Sequence, residues 1–340
     1  MNTRMLDEAR QAPAAVARQL AHDAEQYQAF GALLREKTPG SMLTVARGSS
    51  DHAASFMAYL IMAHMGRLVT SLPLSLVTLY HSRIRCEGLL AMAFSQSGQS
   101  PDLVAPLQFF SDGGACTAAF VNASASPLAQ AAQWRFHLHA GHEASVAATK
   151  SFITQLVAGA RVLAAWQQDA SLHAALAGLP EVLEQAAHAD WSAAVAALAG
   201  ADRLLVIGRG TGLPVAQEAA LKFKETCGIQ AEAFSGAELK HGPMALVDEA
   251  YPLLIFAPRG PAQAGLLTLA DEMRAFGARV LLAAPQGTRG ADLLISATAA
   301  VDLDPISMVQ SFYPMVEALA RERGLNPDQP RHLAKVTRTR

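Results

Sequence analysis

Two short stretches gather polar side chains where the chain is otherwise apolar. Residues 95–102 read SQSGQSPD, between the apolar run LLAMAF (89–94) and the helix-like LVAPLQFF (103–110). A loop that joins a strand's end to a helix start offers backbone N–H groups and the positive end of the helix dipole. Gly98 permits a tight turn and close backbone approach. Ser95, Gln96, Ser97 and Ser100 add hydrogen-bond donors without bulk. The loop has no lysine, so the GxxxxGK[ST] nucleotide loop is absent. Two readings fit: a cradle for the phosphate of a small molecule, or a helix start capped by Ser100 or Asp102. RGSSD (47–51) ends an earlier strand. Ligands gather at the carboxyl ends of parallel strands, which would turn Ser49 and Ser50 toward the same anion. Helix capping explains these serines equally well.

Three further stretches carry ionisable groups. In ALKFKETCG (220–228), Lys222 and Glu225 stand three apart and share a helix face, while Lys224 points elsewhere. A carboxylate beside an ammonium can shuttle a proton; an ordinary surface ion pair is the plainer reading. In AELKHGP (237–243), His241 precedes a Gly-Pro turn, where an imidazole can titrate near neutrality. Lys335 lies in the basic, proline-broken ending DQPRHLAKVTRTR. GRGTG (208–212) departs from the dinucleotide fingerprint GxGxxG, because Leu213 follows Gly212, so nicotinamide binding is not expected.

The elements that must position these residues alternate. SMLTVA (41–46), LLAMAF (89–94) and CTAAFVN (116–122) read as strands. Ala53 to Met65, Leu103 to Phe110 and Ala147 to Trp166 read as helices. An alanine-rich helical stretch follows from about Leu172 to Leu198, and the pattern restarts with DRLLVIG. Strand-then-glycine recurs as TVARGSS and LVIGRGTG. Ser95 lies 47 residues after Gly48 (95 − 48), and Ala257 lies 47 after Gly210 (257 − 210). The second copy there reads APRG (257–260), with Ala257 and Arg259 in place of serines. The fold class is therefore α/β: two tandem halves, each a mostly parallel sheet with helices on both faces. Loss of the hydroxyls from one copy suggests one ligand loop per pair.

Composition sets the outer limits. The chain has 340 residues, 51% hydrophobic and 16% charged, enough for well-packed cores. A net charge of -2 argues against nucleic acid or an anionic membrane as partner. The opening MNTRMLDEARQ has no apolar signal core, and no apolar run approaches the roughly 18 residues of a membrane span. Cys86, Cys116 and Cys227 fit neither zinc spacing nor a disulfide framework, and suit the reducing cytoplasm where the chain is expected.

Taken in order, RGSS (47–50), SQSGQSPD (95–102), HEASVAATKSF (142–152), ALKFKE (220–225), AELKHGP (237–243) and DQPRHLAK (328–335) resemble the sugar isomerase (SIS) double-domain family. Its relatives include the isomerase part of glutamine–fructose-6-phosphate aminotransferase and the SIS-type glucosamine-6-phosphate deaminases. The resemblance implies an N-terminal helical segment (1–38), a first SIS domain (39–170), a helical linker (171–198), a second SIS domain (199–325) and a tail closing the site (326–340). It implies that Ser50, Ser95, Gln96, Ser97 and Ser100, with Ser49 adjacent, hold a sugar phosphate and that Val146 lines the sugar. Glu225 would move a proton between C1 and C2, with Lys222 beside it. His241 would open the ring, reaching in from the other subunit of a homodimer. Lys335 would close over the substrate. Gln99 and Ala148 depart from the aminotransferase, which has an acidic residue and a serine there. The first cysteine is Cys86, so an N-terminal glutaminase domain with its cysteine nucleophile is not expected in this chain. The implied activity is deamination of glucosamine 6-phosphate to fructose 6-phosphate and ammonia. Neither metal nor cofactor is required, since a carbonyl substrate acidifies its own C2 proton. Galactosamine 6-phosphate or fructosamine phosphate as substrate, isomerisation without deamination, and a non-catalytic sugar-phosphate sensor are the alternatives.

Overall fold

The computed structural model describes residues 3–335. The end of the expected tail, residues 336–340, lies outside the described residues. The chain divides into two compact units. The first comprises residues 14–143, 150–177 and 334–335; the second comprises 3–13, 144–149 and 178–333.

The first unit is built on β1 (Ser41–Val45), β2 (Val69–Ser71), β3 (Leu89–Ser95), β4 (Cys116–Val121) and β5 (Trp134–His137), all parallel in the order β2-β1-β3-β4-β5. Alternate side chains of a strand face opposite sides. Leu90, Met92 and Phe94 face one way, toward the helices Ala24–Lys37, Ser49–Met65 and Lys150–Gln167. There Phe94, Phe120 and Phe136 stack in a row, with centroids 4.6 and 4.8 Å apart. Ala91 and Ala93 face the other way, onto Leu103, Leu107 and Phe110 of the helix Pro101–Asp112. Burying a phenylalanine is worth about 1.5–3 kcal/mol, so this row anchors the sheet.

Helix boundaries differ from the sequence expectation for local reasons. The helix after β1 begins at Ser49, four residues before Ala53, because Gly48 at φ +55° turns the chain directly into it. The long helix begins at Lys150 instead of Ala147, where the Glu143 carboxylate accepts the Ser151 backbone N–H at 3.1 Å. The stretch from Leu172 to Leu198 is three short helices, Ala170–Ala177, Leu179–Ala187 and Ser192–Leu198. Asp169 and Asp190 start the first and third by accepting backbone N–H bonds from Ser171 and Ser192.

The second unit repeats the design with β6 (Arg203–Gly208), β7 (Gln230–Ser235), β8 (Pro252–Phe256), β9 (Arg279–Pro285) and β10 (Leu293–Ile295). Its sheet is parallel, in the order β10-β9-β8-β6-β7. Read from the other edge, β6 takes the place of β1 and β8 that of β3, so the duplication holds in topology. Phe312, from the helix Asp304–Glu322, packs edge-on against Phe223 and Phe256. Leu266, Leu269 and Met273, from the helix Gln263–Ala275, pack with Leu205, Leu253 and Ile255.

The loop after β8 is where the copies part. Its Arg259 grips Asp304 through two bonds, Nε at 2.7 Å and Nη2 at 2.9 Å, and also donates to the Thr298 carbonyl at 2.6 Å. Asp304 is fully buried and further accepts the Thr298 backbone N–H and hydroxyl, both at 2.9 Å. The position of the first copy's serines thus holds an internal ion pair. Removing the cation strands a buried carboxylate, so Arg259→Met should destabilise the chain by about 3 kcal/mol in urea denaturation.

Candidate functional site

In the first unit, β1 and β3 are direct neighbours, with Val45 beside Ala93. Their following loops therefore leave the sheet side by side at its carboxyl edge. The β3 loop is shaped by its own serines. Ser95 Oγ accepts the Gly98 N–H at 3.0 Å, and Ser97 Oγ accepts the Gln99 N–H at 3.3 Å. Each of these hydroxyls still has a proton to donate. Gly98 has φ +62°, and a Cβ there would stand 2.1 Å from Ser126 Oγ, so only glycine fits. Gln96 and Gly98 lend their carbonyls to Asn122 N and Leu128 N, which ties the loop to the loop after β4. Ser100 occupies the cap position before Pro101, but its side chain makes no capping bond. The capping explanation therefore fails for Ser100.

The two loops are also joined by charge. Arg47, more than half exposed, reaches Asp102 in the first turn of the next helix at 3.4 Å. Ser50 Oγ accepts Gln155 Nε2 at 3.0 Å, so the long buried helix fixes the second serine of RGSS. Ser49 and Ser50 open the helix after β1, where N–H groups and the positive dipole end lie. The arrangement concentrates donors at one edge of one sheet, and it is suited to an anion.

The second unit holds the proton-transfer candidates. Lys222 lies in the helix Leu213–Cys227 and is 1% exposed. Its ammonium meets Glu225 at 2.6 Å and Glu218 at 3.2 Å, and Glu218 also accepts the Tyr313 hydroxyl at 3.1 Å. Burial works to strip Lys222 of its proton, but Glu218 and Glu225 outweigh it and raise its pKa above the usual lysine value. The pair is not an ordinary surface contact. Glu218 is fully buried, whereas Glu225 is 19% exposed at the helix end and can be reached.

The remaining candidates divide between the units. His241 is exposed at the end of the 3-10 turn Glu238–His241, just before Gly242 at φ +141°. Among the described residues it makes no hydrogen bond or ion pair with Glu225. Val146 belongs to the second unit, where its N–H approaches the Asp328 carbonyl at 3.5 Å. Lys335 belongs to the first unit, where it pairs with Glu143 at 3.2 Å. Four residues at these sites escaped the sequence reading: Arg47, Glu143, Gln155 and Glu218. Only Glu218 carried a signal, its i, i+4 spacing from Lys222. Among the described residues no group of three or more His, Cys, Asp or Glu could hold a metal ion. No helix among them is long and apolar enough to cross a membrane.

Two parallel-sheet units of one topology, one carrying a serine loop, define a class. The SIS domain pattern matches residues 35–165 and 197–285, and the chain belongs to the SIS domain family. It is 33% identical over 308 residues to the isomerizing glutamine–fructose-6-phosphate aminotransferase of Zymomonas mobilis, a match covering 86% of this chain and 51% of that one. The chain thus spans about half the length of the curated relatives it matches. A solved structure from Silicibacter pomeroyi DSS-3, provisionally described as a phosphosugar isomerase, is 44% identical with TM-score 0.91, covering 96% of this chain and 100% of that one. The glucosamine-6-phosphate deaminase of Thermotoga maritima shares the fold at 20% identity and TM-score 0.78, over 99% of this chain and 100% of that one.

The burial of Lys222 is directly testable. Lys222→Met leaves Glu218 inside without its cation, and should cost about 3–5 kcal/mol in urea denaturation, against about 0–1 kcal/mol for a surface pair. Because the folded pKa is raised, the lysine's contribution is complete below its usual value of 10.5 and fades as pH climbs through the raised one. The gap between wild type and variant should therefore narrow only on the alkaline side of 10.5.

Proposed function

We propose that the chain is a phosphosugar isomerase that deaminates an amino-sugar phosphate, with glucosamine 6-phosphate as substrate and fructose 6-phosphate and ammonia as products. The observation that carries this reading is the Lys222 cluster. A helix gains nothing structural from burying a lysine between two carboxylates that apolar residues could not match. It does gain a carboxylate, Glu225, held at fixed height beside a permanent positive charge.

The phosphate rests on the donors of Ser49, Ser50, Ser95, Gln96, Ser97 and Ser100, which supplies proximity and orientation for the sugar chain. Val146 lines the sugar. His241, contributed by the second subunit of a homodimer, helps open the ring to the aldehyde. Glu225 removes the C2 proton, whose acidity comes from the adjacent carbonyl, and returns it to C1. The nitrogen at C2 is then an imine; water adds to C2, and ammonia leaves as the ketone forms. Lys335 and its segment shield the open-chain species from bulk water. A second reading, isomerisation without loss of nitrogen, draws on the likeness to the Silicibacter pomeroyi protein.

The deciding experiment offers the chain a panel of amino-sugar 6-phosphates and their unaminated counterparts, and measures ammonia and ketose separately. Glucosamine 6-phosphate should yield both in equal amounts, and glucosamine lacking the phosphate should yield neither. Ketose formation from the unaminated sugars alone would move the reading to plain isomerisation. Glu225→Gln should lower turnover by about 100-fold or more, as loss of a general base does, and stop deuterium exchange from solvent at C2. Undiminished turnover would assign the base elsewhere.

The shared site has its own signature. Mixing inactive His241→Ala and Glu225→Gln chains under subunit exchange should restore about a quarter of the sites, since each mixed dimer contains one site with both native residues. Proven exchange without recovered activity would place His241 in its own subunit's site or outside the reaction.

A further inference from the structure

Glu143 stands where the loop after β5 meets the long helix of the first unit, with its side chain fully buried. A carboxylate taken from water costs several kcal/mol unless donors replace the lost hydration. Two of its donors are local. Oε1 accepts the Ser151 N–H at 3.1 Å, and Oε2 accepts the Ser151 hydroxyl at 2.6 Å. These bonds start a helix, and a neutral amide could keep both contacts, its oxygen accepting the Ser151 N–H and its NH2 donating to the Ser151 hydroxyl. A further donor is itself charged. Lys335 Nζ lies 3.2 Å from Oε2, from a position 192 residues further along the chain.

The two partners are also unequal in access. Glu143 is sealed, whereas the Lys335 side chain is 25% exposed. The carboxylate is a fixed point, and the ammonium is the end that can leave. Lys150 stiffens the fixed side: it is 2% exposed, and its ammonium donates to the carbonyl of His142, one residue before Glu143. The anchor is therefore held from the helix and from the loop together.

We propose that Glu143 is a positioning residue for Lys335: its carboxylate docks the chain's last described residues onto the first unit and sets where the Lys335 ammonium stands. The catalytic part of this inference rests on the role given to Lys335 above; the docking part does not.

The test uses the full chain and three variants. Glu143→Gln keeps the size and can still accept from Ser151, while removing the charge. Lys335→Met removes the partner, and the two are then combined. The first readout needs no substrate: the rate of trypsin cleavage after the exposed Arg331, at a temperature well below the thermal midpoint of every variant. Each single variant should raise the rate several-fold, about 5-fold or more, and the double variant should be no faster than either, the mark of one shared interaction. The second readout is turnover of glucosamine 6-phosphate. Both single variants should lower kcat by about 10-fold with KM within about twofold, since the phosphate donors are untouched, and again without additivity. A helix-start role alone would lower stability and leave this split unmoved.

Glu143→Gln as resistant to trypsin as wild type, with Lys335→Met cleaved faster, overturns the proposal. Fully additive effects of the two variants overturn it as well. If Glu143→Gln does not fold, Lys335→Arg takes its place: charge retained should keep the segment protected where Lys335→Met exposes it, and equal exposure of both refutes the pairing. Non-additive protection in a protein that leaves glucosamine 6-phosphate unchanged would support docking while refuting the proposed substrate, so the two failures are distinct.

Discussion

A parallel sheet sends every strand-to-helix connection out through one edge, and the rest of this molecule follows from that constraint. Neighbouring strands β1 and β3 deliver their loops side by side, so serines 45 residues apart in sequence (95 − 50) come to serve one edge. The same geometry turns helix starts, with their free N–H groups, toward that edge. Both faces of each sheet must be covered: in the first, the phenylalanine row packs under the almost wholly buried helix Lys150–Gln167, and the helix Pro101–Asp112 covers the opposite face. The loop edge is left free of this covering, and the first unit places its serine-rich motifs there.

The two units show what a copied scaffold can do with one position. After β3 the chain keeps hydroxyls and backbone donors; after β8 it places Arg259. The second copy then meets its arginine with its own buried Asp304, supported by Thr298. An internal carboxylate there satisfies the donors that the loop presents. The same unit carries a buried cation, Lys222, on the helix Leu213–Cys227 between Glu218 and Glu225.

The sequence displayed the strand–helix alternation and the loop chemistry, because both are local: apolar runs of strand length, a glycine after the strand that opens each half, and serines where a helix begins. It displayed the Lys222–Glu225 spacing but not its burial, since an i, i+3 pair on a helix is ordinarily solvated. Glu218 was passed over for the same reason. The Glu143–Lys335 pair had no local signature at all, with 192 residues between its members. Helix starts shifted by three or four residues because one glycine dihedral and one remote carboxylate decide them, and neither is written in periodicity. The SIS resemblance rested on short motifs, which lie in the loops after the strands, at helix starts and, for ALKFKE, within the helix Leu213–Cys227.

The first residues of the chain belong to the second unit, and their bonds reach its far end. Arg4 and Met5 donate backbone N–H groups to Asp328, and Thr3 donates its hydroxyl to Glu317. Gln310 in turn donates to the Ala9 carbonyl. Arg4 and Asp328 are 324 residues apart. A ribosome adding roughly 5–20 residues per second needs on the order of tens of seconds to supply the second partner after the first has emerged. During that interval the apolar face of the helix Arg4–Arg10, with Met5 and Ala9 buried, lacks its main packing partner, the helix Asp304–Glu322. The first sheet can assemble while the chain is still being made, but the helix Arg4–Arg10 must wait until the helix Asp304–Glu322 and Asp328 have been synthesised, and it is exposed to chaperones and proteases for that interval.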